Sequence, residues 1–392
     1  MASDPVALAQ ELIRIESVTP DRGMALELVR SRLEAIGFDV EWLCFGEPGT
    51  DEVPNLYARL GTKAPNLCFA GHTDVVPVGD QHRWQRAPFC GDVVDGVLHG
   101  RGAADMKAAI AAAVVAAEKV VAHHGNALPG SLSFLLTGDE EGPGLHGTKR
   151  VLDHLKARGE VIDLCVVGEP TNPETFGEMI KIGRRGSLHG VLRVDGIAGH
   201  VAYPHRAQNP IPGLLQILVA LTAEPLDEGN AHFQPSNLEV LDLRVGNDAD
   251  NVIPGAATAR FNVRFNSEYT PERLMAELRR RCDRPGVPYT LDFRLSGDSF
   301  LTPPGVLSAT LVEAIRARTG LTPTLSTTGG TSDARFLKDH CAVVEFGLVG
   351  ATMHKQDECV AVADVLALTD IYEALFLRVL EGAKAERHAS AD

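Results

Sequence analysis

Leu67-Cys68-Phe69-Ala70-Gly71-His72-Thr73-Asp74 is a short apolar run that ends abruptly in a histidine and an aspartate. The run reads as a buried strand, and His72 and Asp74, two positions apart, share one side of an extended chain. Open α/β sheets place their chemistry beyond the carboxyl ends of such strands. By itself the couple also fits a satisfied polar pair in a core, so the reading turns on whether the pattern recurs.

It does. Ser131 to Thr137 is a second buried run, followed by Gly138-Asp139-Glu140-Glu141-Gly142; Asp163 to Gly168 is a third, ending in Glu169-Pro170; Cys341 to Phe346 leads to Met353-His354-Lys355. Three consecutive acids repel one another unless a cation sits among them or the loop is solvated. Gly100-Arg101-Gly102-Ala103-Ala104-Asp105-Met106-Lys107 opens an Ala-rich helix that runs to about His124, which puts Asp105 at a helix start, where the plain reading is an N-cap.

His72, Asp105, Glu141, Glu169 and His354 thus come from separate segments, and in one open sheet they can converge. Imidazoles and carboxylates without nearby thiolates suit zinc, cobalt or manganese in an open site rather than a closed structural zinc site. A carboxylate shared between two such cations leaves room for a water that attacks a carbonyl. Asp74 is then expected to accept a hydrogen bond from the non-ligating nitrogen of His72. Glu140, beside a ligand without being needed as one, is the expected general base, with a plain solvated acid as the alternative.

The whole chain frames this. Its 392 residues exceed one hydrophobic core, so two domains are expected. Apolar content of 44% and charged content of 23% are those of an ordinary globular protein. A formal charge of -15 argues against a nucleic-acid partner. Seven cysteines form no Cys-x-x-Cys pair and read as small buried groups in a reducing compartment. No signal peptide or membrane span is read, so the expected location is the cytoplasm, with no membrane partner.

Along the chain, Asp4-Pro5 opens a helix with Leu8, Leu12 and Ile15 on one face, and a second helix carries Leu26, Val29, Leu33 and Ile36. From Ser187 the texture changes to strand, helix, strand, strand, helix, strand, the order of a ferredoxin-like split βαβ unit. Alternation supports it: Ala257, Ala259, Phe261, Val263 and Phe265 share one face. The expected fold class is therefore α/β, a catalytic domain with a mostly parallel mixed sheet flanked by helices, over 1–184 and 299–392. An inserted ferredoxin-like α+β domain occupies 185–298. A closing helix is expected over Asp364 to Leu380, with a disordered tail beyond it.

The segments Gly71-His72-Thr73-Asp74-Val75-Val76-Pro77, Gly100 to Lys107, Asp139-Glu140-Glu141-Gly142, Gly168-Glu169-Pro170-Thr171 and Met353-His354-Lys355 together resemble the signatures of the dinuclear zinc amidohydrolases. The resemblance implies two Zn2+ per chain, with Co2+ or Mn2+ able to fill one site. It implies that Asp105 bridges them, with His72 and Glu169 on one and Glu141 and His354 on the other. It implies that the inserted domain is a lid through which a homodimer forms, and that His200, reaching from the partner's lid, polarises the amide oxygen. Arg184, Ser187, Tyr203, Asn251, Arg264, Gly330 and Thr331 match positions that line the pocket for a small anionic N-acyl amino acid. The implied reaction is hydrolysis of N-succinyl-LL-2,6-diaminopimelate to succinate and LL-2,6-diaminopimelate, with deacetylation of acetylornithine or a related N-acyl amino acid as the alternative. Ala108, Ile182 and Gly350 depart from residues common at those places in the family.

Overall fold

The opening run is the strand Asn66–His72, every residue of which is buried. In this computed structural model, which describes residues 3–125 and 127–389 with the side chains of 383–389 excepted, it lies inside an eight-stranded sheet. The strand order is Asp39–Phe45, Val53–Leu60, Ser131–Thr137, Asn66–His72, Leu164–Val167, Ala342–Glu345, Met179–Lys181, Thr324–Ser326. Asn66–His72 runs parallel to both neighbours, with His72 opposite Thr137 and Ala70 opposite Val167, and Leu164–Val167 runs parallel to Ala342–Glu345. Their carboxyl ends therefore share one edge, which is what lets residues distant in sequence meet. The two outermost strands on the Asp39 side are antiparallel, so the sheet is mixed.

Helices Pro5–Arg14, Ala108–His124, Val306–Thr319 and Val362–Ala389 pack on one another. The Asp4 side chain caps the first of them by accepting from the Val6 N–H. Ala108–His124 is buried nearly all round, and its many alanines let neighbouring helices approach closely. The last helix continues past Leu380, where the sequence reading ended it. Ala, Lys, Glu and Arg after Gly382 are good helix formers, which favours continuation over the expected disorder. Residues 390–392 of that tail lie outside the described residues. Among the described residues, no helix is long and apolar enough to cross a membrane.

These elements form one unit, the residues up to Ile182, Thr302–Ser326 and those from Ser332 on. The second unit comprises Gly183–Leu301 and Thr327–Thr331. Its sheet is fully antiparallel in the order Asn237–Arg244, Ala256–Phe265, Gly186–Asp195, Thr290–Gly297. That is the split βαβ arrangement expected from the alternation. Helices Pro210–Thr222 and Pro271–Asp283 bury Leu214, Ile217, Leu221, Leu274 and Leu278 against Leu188, Leu192, Phe261, Val263 and Phe265. Where the chain enters and leaves the unit, Gly183–Arg184 pairs antiparallel with Phe300–Leu301.

The division differs from the expected one at Thr327–Thr331, which clusters with the second unit rather than with the flanking catalytic residues. Hydrogen bonds hold it there: the Thr327 hydroxyl donates to the His232 carbonyl at 2.6 Å, and Arg264 Nη1 donates to Thr331 Oγ1 at 3.0 Å.

Candidate active site

The shared strand edge of the first unit gathers His72, Asp105, Glu141 and His354. The two oxygens of Asp105 face different imidazoles: Oδ1 lies 3.1 Å from His72 Nε2 and Oδ2 lies 3.1 Å from His354 Nε2. Each imidazole has a further carboxylate. Glu169 Oε1 is 3.8 Å from His72 Nε2, and Glu141 Oε1 is 2.7 Å from His354 Nε2. Glu140 offers an oxygen within 4.8 Å of donor atoms of His72 and Glu169. His72 is buried and Glu169 nearly so, whereas His354 is largely exposed.

Local backbone explains why Asp105 can reach both rings. The plain N-cap reading fails there: Asp105 is extended, at φ -123° and ψ 95°, and the regular helix starts only at Ala108. The peptide bond after it, Asp105–Met106, is cis.

Asp74 meets His72 more closely through its main chain than through the carboxylate expected to do so. His72 Nδ1 lies 2.9 Å from the Asp74 main-chain carbonyl, whereas the Asp74 carboxylate is 3.6 Å away. That carboxylate instead accepts the backbone N–H groups of Glu140 at 3.2 Å and Glu141 at 3.0 Å. The reason is geometric: the loop after Thr137 turns back over Asp74 and presents two otherwise unpaired amides to a buried anion. The carbonyl still determines the His72 tautomer. A carbonyl only accepts, so a neutral His72 carries its proton on Nδ1 and turns the Nε2 lone pair toward Asp105 and Glu169. Asp139, the first of the three acids, folds its own loop by accepting from Leu145 and His146 N–H groups.

The electrostatics of the cluster are those of a site built for positive charge. Asp105 and then Glu141 push the His354 imidazole up to about 10. Burial works against charging His72, yet the Asp105 and Asp74 carboxylates hold it well above its ordinary value. Burial works against charging Asp105 too, and His354 and His72 nevertheless bring it down. Burial, then the charges of Glu169 and Asp333, push the Glu140 carboxyl well above the usual carboxylate range. The donor set fits two divalent cations: each half offers an imidazole nitrogen, a carboxylate of its own and one oxygen of the shared Asp105.

The remaining expected residues belong to the second unit. Arg184 and Arg264 hold the Thr327–Thr331 loop, with Ser187 opposite Arg264 in the sheet: Arg184 Nη1 donates to the Thr328 carbonyl at 3.5 Å, Arg264 Nη1 donates to Thr331 Oγ1, and Asn262 Nδ2 donates to Ser187 Oγ at 3.1 Å. Gly329, at φ 105°, comes so near that a Cβ there would lie 2.6 Å from Arg184 Nη1. Gly330 has open space around it. A separate exposed group holds His200, Tyr203 and Asn251. His200 pairs with Val252 in a two-stranded ribbon, Val201 N–H donates to the Asn251 carbonyl, and the His200 and Tyr203 rings lie 5.6 Å apart. His200 Nδ1 accepts from the Ala202 N–H at 3.1 Å, so its neutral form carries the proton on Nε2.

Sequence reasoning missed two buried acids near the cluster. Asp333 lies in a Gly/Thr-rich loop that drew attention for its glycines, and Glu358 follows His354 in a stretch with no periodicity. Glu358 is fully buried and pairs with Arg101 Nη1 at 2.6 Å. Among the described residues, His123, His124 and Glu381 form another group of donor type, with His123 and Glu381 exposed and His124 half-buried.

The family model for peptidase family M20/M25/M40 matches residues 68–378. The chain belongs to the M20/M25/M40 peptidase family. As a member of the M20 family it is a metal-dependent hydrolase, and the cluster around Asp105 supplies its candidate metal-binding residues. The chain is 56% identical over 384 residues to a succinyl-diaminopimelate desuccinylase of Rhodospirillum centenum, covering 98% of this chain and 99% of that one. It is 58% identical over 374 residues to a protein of the same name from Xanthobacter autotrophicus, covering 95% and 98%. Among solved M20 structures, a metallo-carboxypeptidase from Sulfolobus solfataricus superposes with a TM-score of 0.76 at 17% identity over 95% of this chain and 98% of that one. A dinuclear metal binding peptidase from Bacillus subtilis gives 0.68 at 16% identity over 96% and 98%. At those identities the likeness is one of fold.

Proposed function

We propose that the protein hydrolyses the amide of N-succinyl-LL-2,6-diaminopimelate to succinate and LL-2,6-diaminopimelate, a step of lysine and diaminopimelate biosynthesis. The observation that carries this is an Asp105 carboxylate facing His72 and His354 in a chain 56% identical, over 98% of its length, to a succinyl-diaminopimelate desuccinylase.

His72, Glu169 and Asp105 would hold one Zn2+, and His354, Glu141 and Asp105 the other, with Co2+ or Mn2+ able to fill one site. Such cations polarise an amide carbonyl and acidify a water. Glu140 takes a proton from the attacking water and delivers it to the leaving nitrogen. The Asp74 carboxylate, through the Glu140 and Glu141 amides, keeps that base aimed. Burial and neighbouring acids make Glu140 reluctant to ionise, and bound cations would reverse that bias.

Arg184 and Arg264 offer guanidinium groups for substrate carboxylates, and the Gly330-Thr331 backbone and Ser187 add polar contacts. His200, with its Nε2 proton, serves as donor to the amide oxygen, alongside Tyr203 and Asn251. The second unit then acts as a lid, and a homodimer forms through it, each lid serving the partner's site. Exposed Val191, Leu241, Leu243 and Leu295 on that unit support such an interface. The reaction is assigned to the cytoplasm, where its cysteines, all unpaired, would stay reduced.

The test is a side-by-side assay of zinc-loaded protein on N-succinyl-LL-2,6-diaminopimelate, acetylornithine and dipeptides. The expected outcome is cleavage of the succinylated substrate with kcat/KM higher by ~100-fold or more than for the others, a discrimination that a site pairing charged groups supplies. Faster cleavage of acetylornithine would replace the assignment.

A further inference from the structure

Glu358 has no place in the chemistry described so far, yet it is among the most fully partnered groups near it. Its Oε1 accepts the backbone N–H groups of Gly102 at 3.1 Å, Ala104 at 2.9 Å and Asp105 at 3.1 Å, while Oε2 accepts from Arg101 Nη1 at 2.6 Å. The side chain is 0% exposed. We propose that Glu358 is a positioning residue that sets the Asp105 carboxylate between the two imidazoles, so that cation affinity depends on it and not fold stability alone. This rests on the two-cation reading above.

Three features separate this role from that of a simple buried partner for Arg101. An ion pair would occupy Oε2 only, whereas Oε1 gathers amides that end on Asp105 itself. Those amides belong to the segment that departs from helical geometry: Asp105 is extended, and its N–H points at Glu358 instead of into a helical turn. Without an acceptor there, three amides at a helix start, which the helix itself does not pair, would be left buried and unsatisfied, and the segment would rearrange to find others. That rearrangement would swing the Asp105 carboxylate away from His72 and His354. Finally, the same residue touches the other ligand-bearing segment. The Gly100 N–H donates to the Glu358 carbonyl at 2.9 Å, and Arg101 Nη1 also donates to the Lys355 carbonyl at 3.1 Å, next to His354. One carboxylate thus ties the Asp105 loop to the His354 loop.

The experiment titrates Co2+ into wild type and Glu358→Gln, following equilibrium dialysis and the visible absorption of bound Co2+, with the melting temperature recorded alongside. Gln keeps the shape and one acceptor, loses the charge and turns an amide toward Arg101. Wild type is expected to take two equivalents. Glu358→Gln is expected to bind Co2+ ~10–100-fold more weakly, with a changed absorption envelope, the usual cost of disturbing groups that hold metal ligands. Glu358→Asp, which keeps the charge and draws the carboxylate back from the amides, gives the same readout if the Gln variant does not fold. Affinity within ~3-fold of wild type and an unchanged spectrum, whatever the melting temperature, would overturn the proposal, since loss of a structural contact moves only the latter. Wild type binding fewer than two equivalents would instead sink the two-cation reading, and this inference with it.

Discussion

The Asp74 carboxylate accepts the backbone N–H of Glu140, the expected base, at 3.2 Å. A buried anion here shapes a loop as well as facing a histidine, and the consequence can be measured. Asp74→Asn replaces one acceptor by a donor that faces an amide N–H. Kinetics should show kcat lowered by ~10–100-fold with KM little changed, because the residues proposed to contact substrate are others.

Glu140 itself separates ligand from base. Glu140→Gln should retain both cations and lose ~100–10,000-fold in kcat. Loss of a cation equivalent in dialysis would make Glu140 a ligand, a role its proximity to His72 and Glu169 also permits.

If His200 acts on the partner's site, two dead proteins can restore each other. Glu140→Gln and His200→Ala are each expected to be nearly inactive. Mixed after dissociation and reassociation, they should recover about a quarter of the native rate, since half of the dimers are mixed and each mixed dimer holds one complete site. No recovery would place His200 on its own chain's site or outside the chemistry.

Gly329→Ala puts a methyl group where Arg184 Nη1 now lies, and at a backbone angle that side chains rarely adopt. Displacement of that guanidinium should raise KM for an anionic substrate by ~10-fold, the worth of about 1.4 kcal/mol, with cation stoichiometry unchanged.

The second unit should also show its own acid sensitivity. Arg280, followed by Arg281, draws the Glu277 carboxyl down from 4.5 to about 2. A depressed carboxyl stabilises the fold above its unfolded value and loses that contribution as pH falls from 4.5 towards about 2. The melting-temperature gap between wild type and Glu277→Gln should therefore narrow as pH falls through that window. Its first partner, Arg280, is largely exposed, and solvent screens the pair, so the gap itself is expected to be small.

The strands and the candidate ligands that converge at their ends were readable because apolar runs and ionisable side chains are written in different letters. Leu67 to Gly71 is apolar and Ser131 to Thr137 mostly so, and each run is followed within two residues by an ionisable side chain, His72 or Asp139. The split βαβ order was readable from period-two alternation. Three things were not. Met179–Lys181 and Thr324–Ser326 are too short to show a period, yet they complete one side of the sheet. The extended backbone at Asp105 is imposed by acceptors remote in sequence, so the helical texture after it misled. The allegiance of Thr327–Thr331 rests on side-chain hydrogen bonds to His232 and Arg264, which no local pattern announces.

Gly183–Arg184 and Phe300–Leu301 lie side by side, so the inserted unit begins and ends at one point. A segment with neighbouring ends can be transplanted as a cassette. Splicing the corresponding piece of another family member between those ladders should transfer acyl-group preference without rebuilding the host, because the gap to be bridged is a single pair of strands.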